Sequence, residues 1–401
     1  MKTNWQTKKL SDIKSIIFMR GNGLKKSLIK KDGKFNCILY GELYTKYKHP
    51  IINEVVTKTD FDGKIKSVKG DVLVPGTTTA DAYGIAIARS INKNGIILGG
   101  DINILRTKNK EIISDYLSYF LNGPAKLELA SYANGTNIMH LSNKNIQKIE
   151  ISYPPLPEQH RIVKILDEIF ADVAKAKENA EKNLQNAKEL FESYLQSVFA
   201  NPGNNWEGKK IKEIGKTQTG LTPKTSNKKY YGNFVPFITP ADVDIFRDGS
   251  VRYNSRGLSD TGLNVGRKID KNSVLMVCIG ATIGKVGFVT QKVSCNQQIN
   301  TLTPESKFEA KFFYYALSTK SFFKKIIKGS SRATLPIINK GKWENLVVSF
   351  PKTRIEQKSI VAKLDALSAK IKKLEAIYQQ KLADLEELKK SVLKKAFSGE
   401  L

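Results

Sequence analysis

The sequence predicts an α+β chain built on an internal repeat: two mixed α/β globular domains, each followed by a long helix, with the two helices paired as a coiled coil. Three observations predict this. The segment Ile151-Ser-Tyr-Pro-Pro-Leu-Pro-Glu-Gln159 returns in altered form as Val348-Ser-Phe-Pro-Lys-Thr-Arg-Ile-Glu-Gln357. Each copy opens a run whose apolar residues recur at alternating steps of three and four, the spacing of a coiled-coil seam. Each also follows a stretch of short β-like runs punctuated by glycine. The repeat divides the chain into a domain over residues 1–155, a helix over 156–200, a second domain over 201–353 and a second helix over 354–401. Such a chain carries an approximate twofold relation within one polypeptide.

The first seam comprises Ile162, Leu166, Ile169, Val173, Ala176, Ala180, Leu184 and Ala187; the second comprises Ile360, Leu364, Leu367, Ile371, Leu374, Tyr378, Leu382 and Leu385. Each member of the second lies 198 positions after its counterpart, and one irregular 4-4 step recurs at Ala180 to Leu184 and at Tyr378 to Leu382. Matched seams most simply pack on each other. A proline-containing entry should precede each helix, and Asn201-Pro202-Gly203 and Ser398-Gly399 should close them. At about 37 residues and ~1.5 Å per residue, each helix is roughly 55 Å long, which suits a rigid spacer.

Each domain opens on a tryptophan and a short amphipathic stretch, Trp5 to Ile13 and Trp206 to Ile214. Val72-Leu-Val74 and Gly95-Ile-Ile-Leu98 in the first read as strands, as do Val274-Leu-Met-Val277 and Val286-Gly-Phe-Val289 in the second. Asp101-Ile-Asn103 parallels Gln298-Ile-Asn300, and aromatic helices follow at Tyr116-Leu-Ser-Tyr-Phe-Leu121 and Phe312-Phe-Tyr-Tyr-Ala-Leu317. The scaffold repeats, whereas the loops between its elements do not.

Charge assigns different work to the parts. An excess of 66 basic over 38 acidic residues gives a net charge of +28. Residues 158–198 carry −2 and residues 356–395 carry +4, so +26 lies elsewhere, chiefly in the domains. The helices have the mixed faces of solvated or protein-contacting surfaces, and the domains attract anions. Chemistry of other kinds is missing. Cys37, Cys278 and Cys295 form no CxxC pair, and His49, His140 and His160 are too widely spaced for a local metal site. Gly280-Ala-Thr-Ile-Gly-Lys285 fails as a nucleotide loop, with three residues between its glycines and Val286 where a hydroxyl should bind magnesium. Tyr153-Pro-Pro-Leu156 lacks the polar residue of an amino-methyltransferase motif. No apolar run reaches the ~20 residues of a membrane span, and no apolar leader follows Met1, so a cytoplasmic, non-catalytic protein is expected.

The candidate DNA contacts are basic, aromatic and hydroxyl side chains of the loops, which can neutralise phosphates or reach base edges. In the first domain they are Arg20, Lys25, Lys26, Tyr40, Tyr44, Thr45, Lys46, Tyr47, Thr77, Thr78, Asn134 and Thr136. In the second they are Lys224, Tyr230, Tyr231, Thr239, Arg252, Arg256, Thr282, Lys285, Ser330, Ser331 and Arg332. The 280–285 turn is expected to bring its amides and Lys285 toward a DNA backbone, or else to be a tight β-turn.

Taken together, the Glu158-Gln159 and Glu356-Gln357 entries, the helices they open and the terminal Phe-Ser-Gly-Glu-Leu401 resemble the specificity subunit of type I restriction–modification systems. Tyr40-Gly-Glu-Leu-Tyr-Thr45 is similar to one class of target recognition domain in that family, and residues 280–285 with Asn296-Gln-Gln-Ile-Asn300 to another. The resemblance implies that each domain reads one half of a split DNA sequence, across an antiparallel coiled coil that sets the gap. It implies two modification subunits, which carry S-adenosylmethionine and methylate adenine, and restriction subunits that use ATP and magnesium. It implies no cofactor in this chain. The second entry departs from the first by one extra residue before Glu356 and by the loss of the double proline. Three other readings stay open: the specificity subunit of a related type II enzyme, a self-contained methyltransferase or nuclease, and a coiled-coil adaptor for acidic partners.

Overall fold

The structure is a computed structural model and describes residues 4–108, 110–243, 250–331 and 335–401. Two compact units result, one formed by the chain up to Glu181 together with Gln380–Leu401, the other by Lys182–Gln379. Each unit therefore holds one domain and part of both long helices.

In the first unit the strand Gln6–Lys9 pairs antiparallel with Glu150–Tyr153, so the domain's entry and exit lie side by side. The central sheet runs in the order Ile16–Arg20, Ile102–Thr107, Asp71–Pro75, Arg89–Ile91, Ile51–Ile52. Its middle strand is buried throughout, as the unbroken apolar run Val72-Leu-Val74 requires. Asp71, at the start of that strand, is fully buried and receives two bonds from Arg106, at 2.8 and 2.9 Å. The pairing holds the Arg106 guanidinium above its ordinary pKa, the Asp71 hydrogen bond outweighing burial. The aromatic helix Ser114–Asn122 packs over the sheet and buries Tyr116, Leu117, Tyr119 and Leu121.

The second unit repeats this plan. Trp206–Lys210 pairs with Val347–Pro351. The sheet runs Gly215–Thr219, Ile299–Pro304, Ser273–Val277, Val286–Val289, and the aromatic helix is Ala310–Leu317. The registers coincide: Asn103 sits opposite Arg20 and Val74, and Asn300 opposite Thr219 and Met276. The parallel seen in the sequence between Asp101-Ile-Asn103 and Gln298-Ile-Asn300 is thus an equivalence of position in the sheet.

The long helices are Leu156–Ala200 and Arg354–Ser398, each 45 residues. The first begins at Leu156 and takes Pro157 into its first turn, where a missing N–H costs nothing. Gly399, at φ +77°, ends the second. In the first unit the helices run antiparallel, since Arg161 bonds the carbonyl of Leu401 at 2.6 Å and Lys177 bonds Glu386 at 2.7 Å.

Of the predicted seam, Ile162, Leu166 and Val173 are buried in the first unit and Leu364 and Ile371 in the second. Ile169, Ile360 and Leu367 pack at the edges of the same cores, and Leu184, Leu382 and Leu385 are half-buried. Leu374 is a correction: it is 39% exposed. A cavity of about 690 Å³ lies between residues 185–196 and 368–375, so the seam is not closed there. The sequence reading missed the stronger anchors. In the first unit Phe397 packs on Tyr116 and Phe120, Phe170 packs on Tyr119, and Leu393 and Ala396 join the same core; Phe191 and Leu195 join the core of the second.

Candidate nucleic-acid interface

Sheet topology decides which loops meet. In the first unit the strand ends at Arg20 and Pro75 and the strand start at Ile102 lie at one end of the sheet. Residues 21–26, 76–80 and 99–101 leave from that end. The parallel pairing of Cys37 and Ile38 with Ile97 and Leu98 brings residues 39–45 to it. The bond from Leu141 N to Gly76 O brings the 134–140 excursion there as well. Five segments far apart in sequence therefore share one end.

The second unit gathers its loops by the same rule. Residues 220–224 lie against 295–297 through Leu221 N to Cys295 O and Thr222 Oγ1 to Gln297 Oε1. Asn296 N bonds Ile238 O, which places residues 239–242 alongside. The 280–285 turn meets residues 336–338 through Gly280 N to Pro336 O and Ile338 N to Cys278 O. The crowding explains two glycines after the edge strands. A Cβ on Gly21 would lie 1.9 Å from Gly99 O, and one on Gly220 would lie 2.1 Å from Asn296 O.

Most of the predicted residues fall on these ends. Lys25, Lys26, Tyr40, Tyr44 and Thr45 line one cleft of about 760 Å³, with Asn22, Gly99 and Asp101. Arg20 reaches its rim through a 2.8 Å bond to Asp101. Asn134 and Thr136 are exposed on the neighbouring excursion. In the second unit Lys224, Thr282 and Ser331 are exposed, and Lys285 and Ser330 partly so. Thr239 caps the local turn through Asp242, and Arg252 bonds Ala241 O at 2.6 Å beside it. Tyr231 bonds Pro223 O at 2.8 Å, next to Tyr230, and the Arg256 guanidinium lies 5.4 Å from the Tyr231 ring centre.

Several expectations are corrected. Thr77 and Thr78 are buried, because their strand pairs with Met139–His140. The Tyr47 hydroxyl is buried with no hydrogen-bond partner, its pKa pushed up by burial. Lys46 is committed to Glu42 and Thr57, at 3.1 and 2.5 Å. Four of the six amides of the 280–285 turn are used within the protein: those of Gly280, Ile283, Gly284 and Lys285 bond the carbonyls of Pro336, Gly280, Val277 and Thr282. The β-turn reading holds, with Gly280 and Gly284 at φ +98° and +88°. Arg332 lies outside the described residues.

The three thiols are buried, and burial pushes Cys37 up to about 11 and Cys278 and Cys295 up to about 12. Among the described residues no cluster of three or more His, Cys, Asp or Glu side chains could hold a metal ion, and no helix is long and apolar enough to cross a membrane.

The sequence also missed what fixes each domain to its helix. Gln159 and Gln357 are fully buried. Gln159 accepts from Ile113 N and donates to Pro154 O; Gln357 accepts from Glu309 N and donates to Pro351 O. Tyr119 donates to Asp167 at 2.6 Å, and Tyr315 donates to Asp365.

Comparison with known proteins agrees with this duplicated plan. The family model described as type I restriction modification DNA specificity domain matches twice, over residues 2–183 and 203–383. The MjaIX specificity subunit of Methanocaldococcus jannaschii is 24% identical over 44% of this chain and 41% of its own length. The HindI specificity subunit of Haemophilus influenzae is 31% identical over 37% and 33%. The matched stretch thus spans less than half of either relative. A putative MjaX specificity subunit from Methanocaldococcus jannaschii is 23% identical over 84% of this chain and 80% of its own length. Among solved structures, the HsdS subunit from Thermoanaerobacter tengcongensis has a TM-score of 0.60 at 18% identity, covering 100% of this chain and 98% of that one. A chain from a study of complex assembly in the type I R-M system has a TM-score of 0.77 at 18% identity, covering 99% and 98%. Both structures share the fold. With two copies of the domain covering most of its length, this chain belongs to the type I restriction–modification DNA specificity domain family.

Proposed function

We propose that this chain is the DNA-specificity subunit of a type I restriction–modification complex, a non-catalytic reader whose two units each recognise one half of a bipartite duplex target. The observation that carries this is the shared end of the two equivalent sheets. There the candidate loops collect in both units while differing in sequence. One frame with two different sets of side chains fits two different half-sites. The net charge of +28 supports a polyanionic ligand. Lysines such as Lys25 and Lys26 neutralise phosphates, and hydroxyl, amide and aromatic side chains read base edges.

The paired helices set the gap between half-sites and offer their mixed-charge faces to two methyltransferase subunits. Restriction and translocation subunits join that assembly. S-adenosylmethionine belongs to the methyltransferase subunits, and ATP and magnesium to the restriction subunits. A base methylated within a duplex must leave the stack, so the reader holds the DNA while its partner extracts the adenine.

Binding to duplexes of increasing salt concentration tests the reading. Affinity should fall steeply with salt, and Lys25→Ala with Lys26→Ala should reduce the slope by roughly two, since each phosphate contact contributes ~0.9. Salt-insensitive binding, or no preference for a bipartite sequence over a scrambled one, would refute it.

A further inference from the structure

We infer that the second unit recognises thymine C5-methyl groups through an apolar patch formed by Phe323, Ile327 and Ile337, ringed by Lys285, Lys324 and Lys328. The inference rests on the DNA-reading function proposed above and names the base feature that one unit reads.

The helix Lys320–Gly329 is amphipathic in an unusual way. Its inner face buries Phe322 and Ile326, yet the adjacent positions Phe323 and Ile327, one turn apart, are also apolar and are 43% and 44% exposed. Ile337 is 41% exposed and is joined to the same place by its bridge to Ile279 and by the bond from Ser331 N to its carbonyl. Phe323 is held rather than loose. A Cβ on Gly284 would lie 2.3 Å from its ring, so the ring rests on the glycine face of the 280–285 turn. Three large exposed apolar side chains thus stand on segments that meet at the end of the sheet where the loops collect. Scattered apolar residues need no explanation, but a contiguous exposed group marks a binding surface.

The surroundings select the ligand. Residues 279–289 and 320–340 contain no Asp or Glu. Lys320, Lys325 and Lys340 are held by Glu192, Val347 O and Glu344. Lys285, Lys324 and Lys328 have no ion-pair partner among the described residues. An apolar centre inside a purely cationic rim fits a polyanion that itself displays small apolar groups. The thymine methyl in the major groove is that group in duplex DNA, and the phosphates supply the charge. The first unit differs in its detail: its helix Lys126–Ser131 exposes the single large apolar side chain Leu127 and sets Lys126 Nζ 4.0 Å from the centre of the Tyr83 ring.

The test replaces thymine with deoxyuridine, one half-site at a time, in the bipartite duplex bound by the full chain co-purified with its methyltransferase subunit. Affinity should drop roughly fourfold per methyl removed in one half-site, the scale of one buried carbon. The Phe323→Ala and Ile327→Ala double variant, checked for an unchanged melting curve, should lose that sensitivity. Specific binding indifferent to deoxyuridine in both half-sites would overturn this inference alone. So would patch variants that bind DNA normally but no longer co-purify with the methyltransferase subunit. Absence of any bipartite preference would overturn the DNA-reading function and this inference with it.

Discussion

Gln159 Oε1 accepts the backbone N–H of Ile113 at 3.0 Å, joining the first turn of a long helix to the residue that precedes the aromatic helix of the domain. The same side chain donates to Glu111 O and Pro154 O, both at 2.8 Å. One fully buried amide thus satisfies three backbone groups that no secondary structure pairs. Gln159→Ala should destabilise the first unit by about 2–4 kcal/mol, because each buried group left unpaired keeps its desolvation cost. Urea denaturation of the full chain followed by tryptophan fluorescence and hydrogen exchange in residues 111–159 checks this.

Acid should weaken the same junction through His49. Its ring packs edge-on to Tyr119 and Phe170, and its Nδ1 accepts from Ile51 N at 3.2 Å. Burial lowers its pKa below the ordinary 6.5, with Asp167 opposing. The unfolded chain then takes up a proton that the folded chain refuses. Stability is full above 6.5 and falls as pH drops below it, by up to ~1.4 kcal/mol per pH unit. Asp167 acts in the opposite sense, since burial raises its pKa, and its contribution is lost as pH rises through that raised value. His49→Phe should flatten the loss between pH 6.5 and the onset of carboxylate titration. An unchanged pH profile would mean that other groups carry it.

The three cysteines should be silent in the native protein. Thiols pushed to about 11 and about 12 hold almost no thiolate at pH 8, and all three side chains are buried. A thiol reagent should label none of them before unfolding and all of them afterwards.

Matched seam positions should not be equal in energy. Leu166 and Leu364 occupy corresponding places and are both fully buried, so alanine should cost about 2–5 kcal/mol at each. Leu374, 39% exposed, should cost less than ~1 kcal/mol despite its perfect spacing. Denaturation midpoints of the three variants separate these outcomes.

Periodicity made the helices legible, and the repeat made the domain order legible, because both depend on local spacing. Leu374 shows the limit: a seam position is buried only if the facing helix fills the space. Thr77 and Thr78 looked like loop hydroxyls, yet a partner strand some 60 residues away in sequence covers them. The turn at Gly280 suggested free amides, but Pro336 and Val277 consume two of them. Lys25 and Tyr40 were each visible as candidates; their meeting in one cleft depends on sheet order and a parallel strand pair. Nothing in local spacing separates Phe323 from its neighbour Phe322, yet one is exposed and the other buried.

The central claim is that two equivalent frames read two different half-sites. Methylome sequencing of a host expressing this chain with the proposed methyltransferase partner tests it. One bipartite motif is expected, two unlike half-sites separated by a fixed unspecified gap, with methylated adenine in each. A single contiguous motif, two identical half-sites, or no motif dependent on this chain would contradict it.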